Sequence, residues 1–250
     1  MGSNLILHCG ARKVELDELS KVPAPPQEGR WFPLSHGAVL RRVKETLGEA
    51  GYSVAREQLA LSRGDARFFG TLDLNSSLAE GVALSVGVRN SIDKSFPIGL
   101  VAGARVFCCD NLAFRSDLIS VRRKHTRNGE QRFAEDLLGA MADLGLFRES
   151  EARRIDLMQS AEIDDRSADS LLLRAFERGI VNTSELHPVI REWRQPSYEA
   201  FRPRTYWSLL NSFTTSLGDK AGKNPGKYAV TTMRLNSLFM EEGRFAPSVN

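Results

Sequence analysis

GVALSVGVRNSIDKSFPIGLVAGARVFCCDNLAFRSDLISVRRKHTR, Gly81 to Arg127, is the stretch that decides the fold. It holds two apolar, β-prone runs, each ending in a polar cluster. From Val82 to Val88 the even positions are Val82, Leu84, Val86 and Val88, and the odd ones are Ala83, Ser85 and Gly87. Strand side chains alternate between faces, so one face is bulky and apolar and the other is small. The bulky face requires a core. The small face admits a helix or another backbone at close range. The second run, Gly99 to Cys109, is apolar on both faces except at Arg105, the pattern of a strand covered on both sides. Pro97 has no amide donor and restricts Phe96, so the two runs are separate strands. Arg89, Asn90, Ser91, Asp93 and Lys94 therefore leave the first strand together. Asp110 and Asn111 leave the second, and a basic run, Arg122-Arg123-Lys124-His125-Thr126-Arg127, follows.

On the N-terminal side, Val22 to Gly29 reads as an extended linker, because its prolines exclude a helix. Pro33 to Gly51 reads as a helix. Ser35 can cap it, Val39, Leu40, Val43 and Leu47 recur at helical spacing, and Gly51 can stop it. Gln58–Arg63 and Arg67–Leu74 are short strands joined through Gly64-Asp65-Ala66, and Asn75-Ser76-Ser77 is the next turn. On the C-terminal side, Asp117–Arg123 is either one more short strand or the entrance to a loop. Helices are expected over Glu130–Leu144, Arg148–Ala161, Ser167–Arg178, Ser184–Trp193, Thr205–Leu217 and Lys227–Glu241. A basic loop, Gly218 to Lys227, separates the last two. Strands followed by helices, without alternation, indicate an α+β fold with a mostly antiparallel sheet of about four strands, packed helices and a mostly helical C-terminal half. The expected organisation is an N-terminal lead and linker over 1–30, the sheet core with its helix over 31–128, a helical region over 129–243 and a tail over 244–250.

A hydrophobic content of 42% beside 26% charged residues supplies a core and excludes a disordered chain. Cys9, Cys108 and Cys109 show no CxxC spacing, so neither a disulfide scaffold nor a cysteine zinc site is expected. Leu5-Ile6-Leu7 is too short for a signal peptide, and Ile6 breaks the myristoylation pattern. No apolar run approaches the roughly 20 residues of a membrane helix. A cytoplasmic protein without membrane contact is the expectation. The net charge of +3 hides a segregation. Arg105 to Arg132 carries seven Lys and Arg against three Asp and Glu, whereas Phe133 to Ile180 carries six against eleven. A basic end of the sheet is a footprint for a polyanion, although the overall charge is too small to argue nucleic acid by itself.

Four motifs in order carry a resemblance. They are Arg89-Asn90-Ser91-x-Asp93-Lys94-Ser95, Gly99 with Gly103, Cys109-Asp110-Asn111-Leu112, and Arg122-Arg123-Lys124-His125-Thr126. With the later Trp207-x-Leu209-x-Asn211-x-x-Thr214, they resemble the recurring pattern of the phage- and plasmid-like family catalogued as domain of unknown function nine-three-two. The resemblance spans Gln58 to Thr214. Ile92 departs from it, standing where a more polar residue, often His, is expected. The resemblance implies a setting in mobile genetic elements and no particular activity.

Three functions are compatible with these residues. The first is a non-catalytic protein that binds nucleic acid, single-stranded DNA in particular. Arg89, Lys94, Arg105, Arg122, Arg123, Lys124, His125 and Arg127 would meet phosphates. Asn90, Ser91, Asp93, Asp110 and Asn111 would form a structural polar network at the strand ends. No cofactor is expected. Phage single-strand annealing proteins use a curved antiparallel sheet with a helix and a basic groove, often as rings, and that analogy suggests recombination and a homo-oligomer. The second is a metal-dependent nuclease. Asp93 and Asp110 would hold magnesium or manganese, with His125 as third ligand or base, though without a D-x-D or H-x-x-x-H spacing. The third is a protein that occludes a host defence component. Cys108 and Cys109 could act as nucleophiles beside His125, but buried free cysteines are usually small core residues. Trp193, Tyr206, Trp207 and Phe213 fall at core spacing rather than in a stacking platform.

Overall fold

The structure is a computed structural model that describes residues 11–106, 111–221 and 225–243. Six antiparallel strands form one sheet in chain order: β1 (Arg12–Val14), β2 (Val54–Leu61), β3 (Arg67–Ala79), β4 (Val82–Ser91), β5 (Ile98–Val106) and β6 (Asn111–Arg123). Each strand pairs with its sequence neighbour; connections of a few residues join β2 through β6, whereas residues 15–53, with two helices, lie between β1 and β2. The first hairpin turns through Gly64 and Asp65, both at positive φ (83° and 56°). Residues with short polar side chains, or none, tolerate that conformation.

The bulky face of β4 is buried as its alternation requires. Val82, Leu84, Val86 and Val88 join Phe68 and Leu72 of β3 and Leu100 and Ala102 of β5 in the core. Helix α2 (His36–Glu49) packs on this face, its His36 ring 5.8 Å from that of Phe68. Ser35 caps α2 by accepting the Ala38 N–H at 3.2 Å, and Gly51 ends it at φ 83°. The small face does something the alternation did not announce. Ala83, Ser85 and Gly103 leave room there for Arg105, whose side chain is completely buried. Its Nε donates to Asp73 Oδ1 at 2.7 Å and its Nη2 to Thr71 Oγ1 at 3.1 Å. Ser85 Oγ donates to the same Asp73 oxygen at 2.6 Å. Three strands are thereby tied by one buried ion pair whose charges are compensated within the sheet.

The remaining helices are α1 (Leu16–Ser20), α3 (Gly129–Ser160), α4 (Asp165–Glu177), α5 (Thr183–Arg194), α6 (Tyr206–Ala221) and α7 (Pro225–Gly243). Helix α3 packs against β3 and β6, and α6 and α7 against β6. Among the described residues no helix is long and apolar enough to cross a membrane.

The mixed α+β class and the helical later half are as expected, but the sheet has six strands, not about four. The two additions have different causes. Strand β1 is only three residues, Arg-Lys-Val, too short to show alternation. Strand β6 begins at Asn111, well before Asp117. Opposite β5 its register jumps from Ser120 facing Val101 to Arg115 facing Ala102, which interrupts the pattern along the chain. The turn expected at Asn75-Ser76-Ser77 is a register irregularity inside β3, which continues to Ala79. The two helices expected on either side of Gly145 are one, and the glycine, whose φ is not positive, marks no break. The expected basic loop Gly218–Lys227 is largely helical, with α6 running through Ala221 and α7 starting at Pro225.

Candidate nucleic-acid interface

Strand register decides which polar residues meet. Arg89 faces Gly99 across β4 and β5, and Gly99 faces Arg122 across β5 and β6. The cluster after β4 and the basic run after β6 therefore share one end of the sheet. Gly99 gives Arg89 its place, since a Cβ there would lie 2.8 Å from Arg89 Nε and the arginine side chain would have to shift. The Arg89 guanidinium lies across it and 5.2 Å from the centre of the Phe96 ring. Burial, and secondarily the charge of Arg122, lowers the Arg89 pKa from its usual value. Ser91 closes the β4–β5 connection, donating to the Phe96 carbonyl at 2.6 Å and accepting the Phe96 N–H at 3.1 Å. Desolvation opposes the charge of Asp93. Hydrogen bonds from Ser95 and the Arg67 guanidinium outweigh that and hold the carboxyl below its usual value. Lys94, left-handed at φ 64°, points its ammonium to Glu28 and sits 4.9 Å from the centre of the Trp31 ring.

The basic run divides by direction. Arg123 turns back to α3, where its Nε and Nη2 donate to the two Asp136 oxygens at 2.7 and 2.6 Å. His125 turns inward and is 6% exposed. Arg122, Lys124 and Arg127 point to solvent and form no ion pair among the described residues. Trp31 and Phe96, both half-buried, flank this end of the sheet.

His125 has a structural task. The segment before α2 crosses this end as a strap. Its Phe32 N–H donates to the His125 carbonyl at 3.2 Å, and its Leu34 N–H donates to His125 Nδ1 at 3.1 Å. Asn90 Nδ2 donates to the Leu34 carbonyl at 2.9 Å and lies 3.1 Å from His36 Nδ1, and His36 Nε2 lies 3.0 Å from the Asp65 carbonyl. A backbone N–H can only donate, so His125 Nδ1 is an acceptor and its proton sits on Nε2. The same logic makes His36 Nδ1 an acceptor and puts its proton on Nε2, facing a carbonyl. Burial above all lowers both pKa values. For His36 the carbonyl and charge of Asp65 and the charge of Asp93 oppose it; for His125 the Ser91 carbonyl opposes it and the proximity of His36 adds to it. That carbonyl is not in hydrogen-bonding geometry, and His125 Nε2 and Asn90 Oδ1 are buried without a hydrogen-bond partner among the described residues.

The residues singled out from sequence thus separate. Arg89, Asn90, Ser91, Asp93, Lys94, Arg122, Arg123, Lys124, His125 and Arg127 converge. Arg105 does not join them: it is fully buried against Asp73 and cannot reach a phosphate. Asn111 faces Val106, at the other end of β5 from Gly99, about 24 Å away at a rise near 3.4 Å per residue. Asp110, its chain neighbour, lies outside the described residues, as do Cys9, Cys108 and Cys109. Asn111 is therefore not part of the cluster after β4. Of the residues named for a nuclease centre, Asp93 is engaged by Arg67 and His125 by Leu34, and Asp110 is not among the described residues. Among the described residues no group of three or more His, Cys, Asp and Glu is arranged to hold a metal ion. Trp193, Trp207 and Phe213 are core residues as their spacing indicated. Trp31 and Phe96 were the omissions. An aromatic just after the proline-rich linker, before Phe32-Pro33, and another beside Pro97 were the available signals.

The chain matches no family model, no curated protein and no solved structure, so the resemblance drawn above rests on its motif residues alone.

Proposed function

We propose that this protein binds single-stranded nucleic acid, DNA in the first instance, at the end of the sheet where Arg89 and Arg122 meet, and that it serves a mobile genetic element as a non-catalytic binding or annealing protein. One observation carries the reading. Arg122, Lys124 and Arg127 are exposed, without acidic partners among the described residues, beside two half-buried aromatic rings, Trp31 and Phe96. Cations that track a backbone, with aromatic faces on which bases stack, are the recurring equipment for single strands. Arg67 and Lys94 are held by Asp93 and Glu28 and would exchange those carboxylates for phosphates at the rim.

Anisotropy of a labelled single-stranded oligonucleotide at several salt concentrations tests this. Each phosphate neutralised on a single strand contributes about −0.7 to the slope of log K against log salt. Arg122→Ala, Lys124→Ala and Arg127→Ala together should flatten that slope by about 2 and leave the circular dichroism spectrum unchanged. An unaltered slope would remove this surface from the reading. Trp31→Ala should weaken binding by about 1–3 kcal/mol, the usual worth of one stacked base. Running the same samples on a gel, with and without magnesium, distinguishes binding from cleavage. Absence of binding at low salt would favour a host protein as the partner.

A further inference from the structure

We infer that the strap carrying Arg30 and Trp31 is held on the sheet by a pair of neutral histidines, His36 and His125, and that acidification releases it as a unit while the rest of the fold stays closed. The geometry supplies the device. Leu34 is gripped on both sides, its N–H by His125 Nδ1 and its carbonyl by Asn90 Nδ2. The same Asn90 nitrogen also faces His36 Nδ1. Both rings thus present a bare nitrogen to a donor. A proton on His125 Nδ1 would point at the Leu34 N–H. A proton on His36 Nδ1 would point at the Asn90 amide, and turning that amide over to accept it would take Nδ2 away from the Leu34 carbonyl. Either protonation breaks a grip on the same residue.

The surroundings do not rescue the charged rings. His36 is 0% exposed and faces the Asp65 carbonyl and the Phe68 ring, with the Asp65 and Asp93 carboxylates farther off and committed to Arg12 and Arg67. His125 faces Leu34, the edge of Trp31 and the Ser91 carbonyl, and His36 is its nearest titratable neighbour. Two protonated rings would repel each other. Once the strap is off, both imidazoles meet water and regain an ordinary proton affinity near pH 6.5. Acid therefore favours the open state by mass action. The other strap contacts are the Phe32 N–H to the His125 carbonyl, Lys94 on the Trp31 ring, Lys94 with Glu28, the Trp31 edge against His125 and the half-buried Leu34 side chain on the core. The inference stands on these contacts and does not depend on the nucleic-acid reading.

Amide hydrogen exchange by NMR on the full chain, from pH 7.5 to pH 5, tests it. After correction for intrinsic rates, protection of the Leu34 and Phe32 amides should fall about tenfold per pH unit below pH 6.5 for a single linked proton. Amides of α4 and α5 should keep theirs. Imidazole nitrogen shifts should show both rings as the Nε2–H form at pH 7.5, with His125 protonating in the same step that frees Leu34. His125→Asn places an amide oxygen near the position of Nδ1. It should move the loss of Leu34 protection to lower pH, with His36 alone left to release the strap, whereas His125→Ala should leave Leu34 unprotected at every pH. The inference is overturned if His125 titrates while Leu34 remains protected, or if Leu34 and the α5 amides lose protection together. Should His125→Asn fail to fold, the wild-type titration alone decides.

Discussion

Arg105 shows most plainly how an isolated residue misleads. In sequence it is the single cation of an apolar strand and looks like part of a basic surface. In the fold it is the charge that Asp73 requires, with Ser85 and Thr71 completing the hydrogen bonds. Removing one partner of such a pair strands the other in the interior. Asp73→Ala should therefore lower the unfolding free energy by about 3–5 kcal/mol in urea titration, and Asp73→Ala with Arg105→Met should recover a large part of that loss. What was legible was that Arg105 is unusual. What was not legible was its partner, because Asp73 lies in a strand whose own alternation gives no reason to single it out. His125 misled in the same way. Its neighbours on the basic run face water, and only the strap, ninety-one residues earlier in sequence, reveals that it faces inward.

Elements were read best where local chemistry fixes them. Helix α5 begins at a capping box in which Asn182 accepts the Glu185 N–H and the Glu185 carboxylate accepts the Asn182 N–H. Asn182→Ala should cost about 1 kcal/mol, visible as a fall in Tm of about 2–4 °C for a protein of this size. Glycine stops at Gly51 and Gly179, both at positive φ, were equally readable. Strand β6 was not, because residues 116–119 have no partner on β5 and interrupt its alternation. Nor was the continuity of α3 across Gly145, where glycine reads as a stop while the buried Leu144 and Phe147 lie on either side of it in one helix. The candidate surface was half legible. Its cations announced themselves by composition, but which of them point outward depends on Asp136 of α3 and Leu34 of the strap, and neither relation has a sequence signature.

At the level of the whole molecule, pH and assembly order follow from the same contacts. His36 and His125 have folded-state pKa values below their ordinary one. The unfolded chain therefore binds more protons, and their stabilising contribution is complete above about pH 6.5 and shrinks as the pH falls below it. Urea midpoints should drop between pH 7 and pH 5.5, with a slope of at most about 1.4 kcal/mol per pH unit for each ring. Asp93 and Asp164, whose pKa values are lowered, weaken the fold only in a more acidic range. The strap has one more consequence, which concerns time rather than energy. Leu34 leaves the ribosome ninety-one residues ahead of His125. At about 5–20 residues per second, that is a wait of roughly 5–20 seconds. Arg123 then needs Asp136, thirteen residues later still. A growing chain can zip its hairpins one by one as they emerge, yet the surface with Trp31 beside Arg122 stays unbuilt until the last strand is through. The newborn protein therefore passes about the first half of its synthesis without a finished grip, and acquires it only once the sheet is complete.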